Sequence, residues 1–410
     1  MKRKNICIVL PGVYPIPDVK GGAVERLMTM IAEDNERFNR FNLTVISCND
    51  AEAKKLQSGF KNTIFVNKES YSCQKIRYGV HKLRNAIERF FHIKKQLHWL
   101  VWANSPVSRY LFRHRNDFDL VVNEFADSDI CATASRYSSR DKFVMHLHVN
   151  TFASATYERT FGNVVAVSDF IMDQYRKDSL LADKRTATIF NGIATENFRK
   201  TISAQERCDL RKSLGFSDDD FVVIFCGRIA KTKGVKELMI ALSMIDNDKI
   251  KLLILGASDF GRGNYGQYPD EVNKLVEENK NRVVFSGFVK NDELYKYHQI
   301  ADVGAIPSLY NDPCPLSMFE MITSKLPTIA TKAGGMTEIG NDKTTIYVSI
   351  ENIVDDLRNA ITLLYKNGDI RARMSEAAKE RAVYFKRDRF YHDFCNTMEQ
   401  FIELNQQVKK

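Results

Sequence analysis

The stretch from Ala305 to Gly335 constrains the fold more than any other part of the chain. Ala305, Ile306 and Pro307 close a short apolar run, and Tyr310-Asn311-Asp312-Pro313 is turn chemistry. Leu316 to Ser324 places apolar residues at helical spacing, ending near Lys325. Pro327-Thr328-Ile329-Ala330-Thr331 then reads as a short buried strand, and Ala333-Gly334-Gly335 as a turn that lets backbone approach a ligand. Strand, acidic loop, helix, strand and Gly-Gly turn in that order describe one wall of a parallel α/β sheet. Its loops lie at the carboxyl ends of the strands, where such sheets bind ligands.

The same alternation recurs along the chain. Apolar runs at Lys4 to Leu10, Phe41 to Ser47, Asn62 to Val66, Asp119 to Asn123, Lys142 to His148 and Val164 to Ser168 read as strands, the last followed by a helix capped by Ser168-Asp169. A second series follows at Phe221 to Phe225, Lys251 to Gly256, Arg282 to Gly287 and Ala301 to Ser308. At 410 residues there is chain for about two domains, each able to bury a core. The fold class expected is therefore α/β, with two Rossmann-like doubly wound domains. Tyr365 to Phe385 reads as helical and charged, and Tyr384 to Leu404 continues it as a long amphipathic helix.

Composition narrows the setting. With 44% hydrophobic and 27% charged residues the chain reads as soluble and globular. No apolar run is long enough to span a bilayer, and the apolar part of the first residues is too short for a signal peptide, so a cytoplasmic location is expected. The eight cysteines show no paired or metal-ligand spacing and read as reduced core residues. Asp127-Ser128-Asp129 and Asp218-Asp219-Asp220 are only superficially like carboxylate metal clusters, and no metal or other cofactor is expected. A formal charge of +9 points to an anionic partner: a nucleotide, a phospholipid surface or, least favoured because no such module is visible, nucleic acid.

Several stretches carry candidate chemistry. Gly21-Gly22 precedes a helix start, where free amides can hold a phosphate. Strand Phe221 to Phe225 leads into Cys226-Gly227-Arg228-Ile229-Ala230-Lys231-Thr232-Lys233-Gly234, which gathers a guanidinium, an ammonium and helix-start amides in one loop suited to a diphosphate. His146 and His148 stand near the end of a strand. Between residues 75 and 102, Lys75, Arg77, Lys82, Arg84, Arg89, Lys94 and Lys95 alternate with Leu83, Ile87, Phe90 and Phe91 as a basic amphipathic pattern. Such a pattern fits an anionic membrane surface or, equally, a helix packed on the sheet with its basic face solvated.

These motifs together resemble the retaining glycosyltransferases of the GT-B fold, family 4. Asp312 and Glu320 match the family's carboxylate-x7-carboxylate spacing, followed by Lys325-Leu-Pro-Thr-Ile-Ala-Thr-Lys-Ala-Gly-Gly-Met-Thr-Glu-Ile-Gly340. Gly227-Arg228 with Lys233-Gly234 match its GR-x4-KG motif. The family's usual Glu and Pro-Phe-Gly are here Asp312 and Pro313-Cys314-Pro315. His148-Val149-Asn150 is similar to its histidine loop, and Asn191-Gly192 with Phe198 to its domain-junction segment, with Ala194 in place of Asp or Asn.

The resemblance implies two domains facing a cleft: residues 1–198, joined by a C-terminal helix at 384–410, and a donor-binding domain at 199–383. It implies catalytic roles for Arg228, Lys233, His148 and Asp312, and donor binding by Gly21, Gly22, Arg228, Lys233, Phe288, Val289, Asp312, Leu316 and Glu320. The expected partners are a nucleotide-sugar donor, commonly a UDP-sugar, and a glycan acceptor, lipid-linked in surface polysaccharide synthesis. The expected place is the cytoplasm or the inner face of the cell membrane. A soluble acceptor, or a catalytically silent nucleotide-sugar-binding subunit permitted by the altered Asp312 loop, stays open on the same residues.

Overall fold

A computed structural model describes residues 3–10, 14–70, 105–124, 128–256 and 267–407. The basic stretch 75–102 and Asp127 lie outside the described residues. The chain forms two compact units, Met1–Phe190 with Phe390–Lys410, and Asn191–Arg389.

The first unit is a seven-stranded parallel sheet. Its strands are β1 (Lys4–Val9), β2 (Phe41–Asn49), β3 (Thr63–Ser70), β4 (Leu120–Glu124), β5 (Phe143–Leu147), β6 (Asn163–Ala166) and β7 (Thr186–Thr188), in the order β3-β2-β1-β4-β5-β6-β7. The second unit has β8 (Phe221–Cys226), β9 (Ile250–Leu255), β10 (Val283–Gly287), β11 (Val303–Ile306), β12 (Thr328–Thr331) and β13 (Thr345–Val348), in the order β10-β9-β8-β11-β12-β13. Every pairing in both sheets is parallel. Both orders run outward from the first strand and then reverse, so each sheet has one point where neighbouring strands lead off in opposite directions: β1/β4 in the first and β8/β11 in the second. Sheets of this kind take their ligands there.

Helices cover both faces, and the strands are correspondingly apolar on both sides. β4 and β8 are buried along their whole length, which is why they read as unbroken apolar runs without alternation. In the second unit Val223, Phe225, Leu252, Ile254 and Val303 pack with Leu238, Leu242, Leu357 and Ile361. In the first, Cys7, Val9, Val121, Met145 and Val164 pack with Leu111, Ile130 and Ile171. Each such side chain contributes roughly 1.5–3 kcal/mol by leaving water.

Ser168 caps the helix Asp169–Arg176, its Oγ accepting from the Ile171 amide at 3.4 Å. Tyr365 to Leu404 is not continuous helix: Ile353–Lys366, Gly368–Arg381 and Arg387–Gln407 are separate helices, with a 3-10 turn at Ala382–Phe385. Strand β13 had no strand reading in the sequence. The seven described cysteines are free, and all but Cys208 are buried. Among the described residues no helix is long and apolar enough to cross a membrane.

The units divide at Phe190/Asn191 and Arg389/Phe390, where the sequence suggested 198/199 and 383/384. The difference has a local cause. Ile193 donates its amide to Phe385 O at 2.9 Å, Asn191 Nδ2 reaches Cys314 O at 3.5 Å, and Arg389 Nη2 donates to Asn191 O at 2.6 Å. The junction segment and residues 384–389 are thereby tied into the second unit. The polar stretch 199–209, which by its composition reads as a linker, runs instead into the helix Ala204–Ser213, started by a Ser203/Glu206 capping box.

Candidate functional site

In the second unit two loops meet where the strand order reverses. After β8, residues 227–234 run to a 3-10 turn at Lys231–Lys233 and the helix Val235–Ser243; after β11, Pro307 to Pro315 lead to the helix Leu316–Thr323. The loops are laced together. Leu309 donates its amide to Thr232 O at 2.8 Å, and Gly234 sits so close to Pro307 that a Cβ there would lie 1.8 Å from its carbonyl oxygen. With φ at +71°, Gly234 meets both a steric and a conformational demand that no other residue satisfies.

This contact brings Lys233 onto Asp312. Lys233 Nζ lies 2.5 Å from Asp312 Oδ2 and 3.2 Å from the Tyr310 hydroxyl, and Ser308 Oγ donates to the same carboxylate oxygen at 3.3 Å. The side chains are 17% and 5% exposed, so the pair is nearly dry. Burial works against the Lys233 charge, but Asp312 and Tyr310 outweigh it and hold the ammonium above its ordinary pKa. Arg228 is different: it is exposed, and its guanidinium makes no ion pair among the described residues. The loop thus offers one preorganised cation and one available one.

Glu320 is buried in the helix Leu316–Thr323, and its Oε1 accepts from Asn291 Nδ2 at 3.0 Å. That bond ties the helix to the segment after β10, where Phe288 is 53% exposed and Val289 half-buried. Leu316, the first residue of the helix, is also half-buried. Pro315 precedes it with no side-chain cap, so the amides opening the helix have no side-chain acceptor from that position. Asp312 and Glu320 are therefore neither a solvated turn nor a solvated helix residue.

Two glycine pairs behave differently from the sequence reading. The amides of Gly21 and Gly22 are not free: both donate to Asp18 Oδ1, at 2.7 and 3.2 Å. A phosphate there would meet a carboxylate, one whose pKa burial raises despite these bonds. Gly334 approaches protein backbone rather than a ligand, since a Cβ on it would lie 2.3 Å from Asp312 O, and Gly335 donates its amide to the same oxygen at 2.9 Å. The Gly-Gly turn braces the Asp312 loop.

In the first unit His148 stands one residue past β5 beside β4, and the register pairs Glu124 with His146. His148 Nε2 lies 2.7 Å from Glu124 Oε2, and His146 Nδ1 lies 2.8 Å from the same oxygen but off the angle of a hydrogen bond. The imidazoles lie on one side, centroids 4.3 Å apart, as strand alternation requires. Burial pushes the Glu124 carboxyl up, but the two imidazoles outweigh it and bring it down to about 2. Burial and the neighbouring His146 lower the His148 pKa despite Glu124. Among the described residues this is the one group of three side chains whose ligand atoms approach closely enough to suggest a metal, all within 4.8 Å. The oxygen–nitrogen distances are those of hydrogen-bonded groups; two ligands of one tetrahedral zinc stand about 3.3 Å apart. Sequence reading found His148 but not Glu124, whose only signal is its place at the end of the adjacent strand.

Residues 206–381 match the family model described as Glycosyl transferases group 1. An uncharacterized glycosyltransferase of Methanocaldococcus jannaschii is 28% identical over 53% of this chain and 53% of its own length. The lipopolysaccharide 1,2-N-acetylglucosaminetransferase of Salmonella typhimurium is 24% identical over 54% of this chain and 58% of its own length. The match thus spans a little over half the length of these curated relatives. Among solved structures, Anabaena HepE in complex with UDP has a TM-score of 0.72 at 18% identity, covering 96% of this chain and 99% of that one, a likeness of fold. The chain thus has two Rossmann-like sheets of the GT-B fold, and its residues 206–381 match the glycosyl transferases group 1 family.

Proposed function

We propose that the protein is a glycosyltransferase that moves a sugar from a nucleoside-diphosphate sugar to a hydroxyl of a glycan, with retention of configuration. The observation that carries this reading is the cationic loop Arg228–Gly234 at the reversal of strand order in the second sheet, locked to the Asp312 loop. Arg228 and Lys233 face the charge that grows on a departing diphosphate and offset it as a metal does elsewhere. Asp312 fixes the ammonium, Leu316 opens the helix whose first amides meet a phosphate oxygen, and Glu320 takes the ribose. Phe288 and Val289 hold the base through main-chain atoms.

UDP is the proposed nucleotide, in keeping with the UDP found in HepE, and a lipid-linked glycan the proposed acceptor, in keeping with the lipopolysaccharide named for the Salmonella relative. The basic stretch 75–102 is proposed to meet the anionic surface on which such an acceptor resides.

Calorimetric titration of UDP and GDP into the wild type and Arg228→Ala tests the site. Arg228 is the better substitution, because its loss leaves no buried carboxylate without a counterion. One nucleotide is expected to bind, weakened by about 1.5–3 kcal/mol in the variant, the worth of a charged hydrogen bond. A folded wild type that binds neither overturns the reading.

A further inference from the structure

The cluster of Glu124, His146 and His148 lies in the first unit, and its chemistry is unusually constrained. Glu124 is fully buried, and an ionised carboxylate only accepts hydrogen bonds. The ring nitrogen 2.7 Å from its Oε2, Nε2 of His148, must therefore carry the proton. His148 is itself 7% exposed, and burial together with the neighbouring His146 lowers its pKa despite Glu124, so the ring is neutral near physiological pH and Nδ1 bears a lone pair. His146 does not compete for this role, because it is 1% exposed and its position off the hydrogen-bond angle leaves it an electrostatic neighbour of the carboxylate.

We propose that Glu124 is a positioning residue that locks His148 in the tautomer protonated on Nε2, so that His148 meets its ligand through Nδ1 as a hydrogen-bond acceptor. His148 lies just past the carboxyl end of β5, next to β4 at the reversal of strand order in the first sheet. A neutral acceptor at a ligand-binding strand end selects a donor. Carbohydrate hydroxyls provide donors, whereas the oxygens of a diphosphate at neutral pH provide only acceptors. The assignment therefore gives His148 a sugar hydroxyl and excludes the diphosphate as its partner. The identity of the ligand rests on the transferase reading; the tautomer and the role of Glu124 do not.

The test uses the full chain labelled with 15N-histidine, the His148 signals being assigned by their loss in His148→Gln. Near neutral pH, long-range proton–nitrogen correlation is expected to show His148 protonated on Nε2 alone. The strongly hydrogen-bonded Nε2 proton is expected to disappear in Glu124→Gln. A wild-type His148 protonated on Nδ1, or on both nitrogens, overturns the proposal, and this arm needs no variant of Glu124 to fold. In sugar transfer, Glu124→Gln is expected to lower kcat about tenfold, the worth of one misplaced hydrogen bond to the reacting sugar, while UDP affinity stays within about twofold. A fall of UDP affinity in step with kcat would mark Glu124 as merely structural and overturn the positioning role. If UDP does not bind the wild type, the transferase reading fails together with the sugar hydroxyl, and the nitrogen spectra still decide the tautomer.

Discussion

Lys233 and Asp312 were legible one at a time but not as a pair. The sequence places Lys233 in a loop fit for a diphosphate and Asp312 in an acidic turn; that they meet at 2.5 Å depends on β8 and β11 being neighbours, a fact of topology that no local spacing carries. Asp18 escaped notice for a related reason, since its carboxylate curls back onto the amides of Gly21 and Gly22 and uses the donors a phosphate would need. The pairing has an energetic consequence. Lys233→Ala takes the counterion from a buried carboxylate and leaves it the Ser308 and Tyr310 hydroxyls as neutral donors, and is expected to cost about 3 kcal/mol, the low end of the range for breaking a buried pair because Lys233 is partly wetted. Arg228→Ala is expected to stay within about 0.5 kcal/mol of the wild type. Urea unfolding of both measures the contrast, and the double change Lys233→Ala with Asp312→Asn should recover part of the loss by removing the orphaned charge.

At the scale of elements, strands were the clearest signal because both faces of each sheet are covered. Phe221 to Phe225 became β8 (Phe221–Cys226), and Lys142 to His148 became β5 (Phe143–Leu147), losing only its ends. β13, Thr345–Val348, was missed because its central residues are only half-buried and its apolar run is short. Helix breaks near the C-terminus were missed because Asn367 and the 3-10 turn at Ala382–Phe385 interrupt a pattern that stays amphipathic on either side. The basic stretch 75–102 makes a prediction of its own. Vesicles containing anionic lipid are expected to bind the protein, and neutralising Lys82, Arg84, Arg89, Lys94 and Lys95 together is expected to abolish binding, each charge being worth roughly 1 kcal/mol near such a surface. Sedimentation with vesicles checks it; binding that survives the change would refute the membrane role.

For the molecule as a whole, two doubly wound units could be read from two series of apolar runs, while their borders could not. The borders depend on which unit captures the chain as it passes between them, and Arg389 settles this by holding Asn191 at the other passage. The last helix, Arg387–Gln407, then supplies the first unit with Phe390, Tyr391, Phe394, Cys395, Met398, Phe401 and Ile402, all buried. Tyr391 reaches Asn35 at 3.0 Å and Arg40 pairs with Glu399 at 2.7 Å. This gives the protein an unusual calendar. On the ribosome, where domains form as units, the second unit has all its parts once Arg389 has emerged, whereas the first, begun at the amino end, must wait for residues 390–407. The unit started first is finished last. A chain stopped after Arg389 is expected to carry a second unit resistant to limited proteolysis beside a first unit that is readily cut, and equal resistance of both would refute that order. Until those final residues arrive, the nascent first unit has an open seam along Asn35, Arg40 and the core that Phe394 and Phe401 later fill.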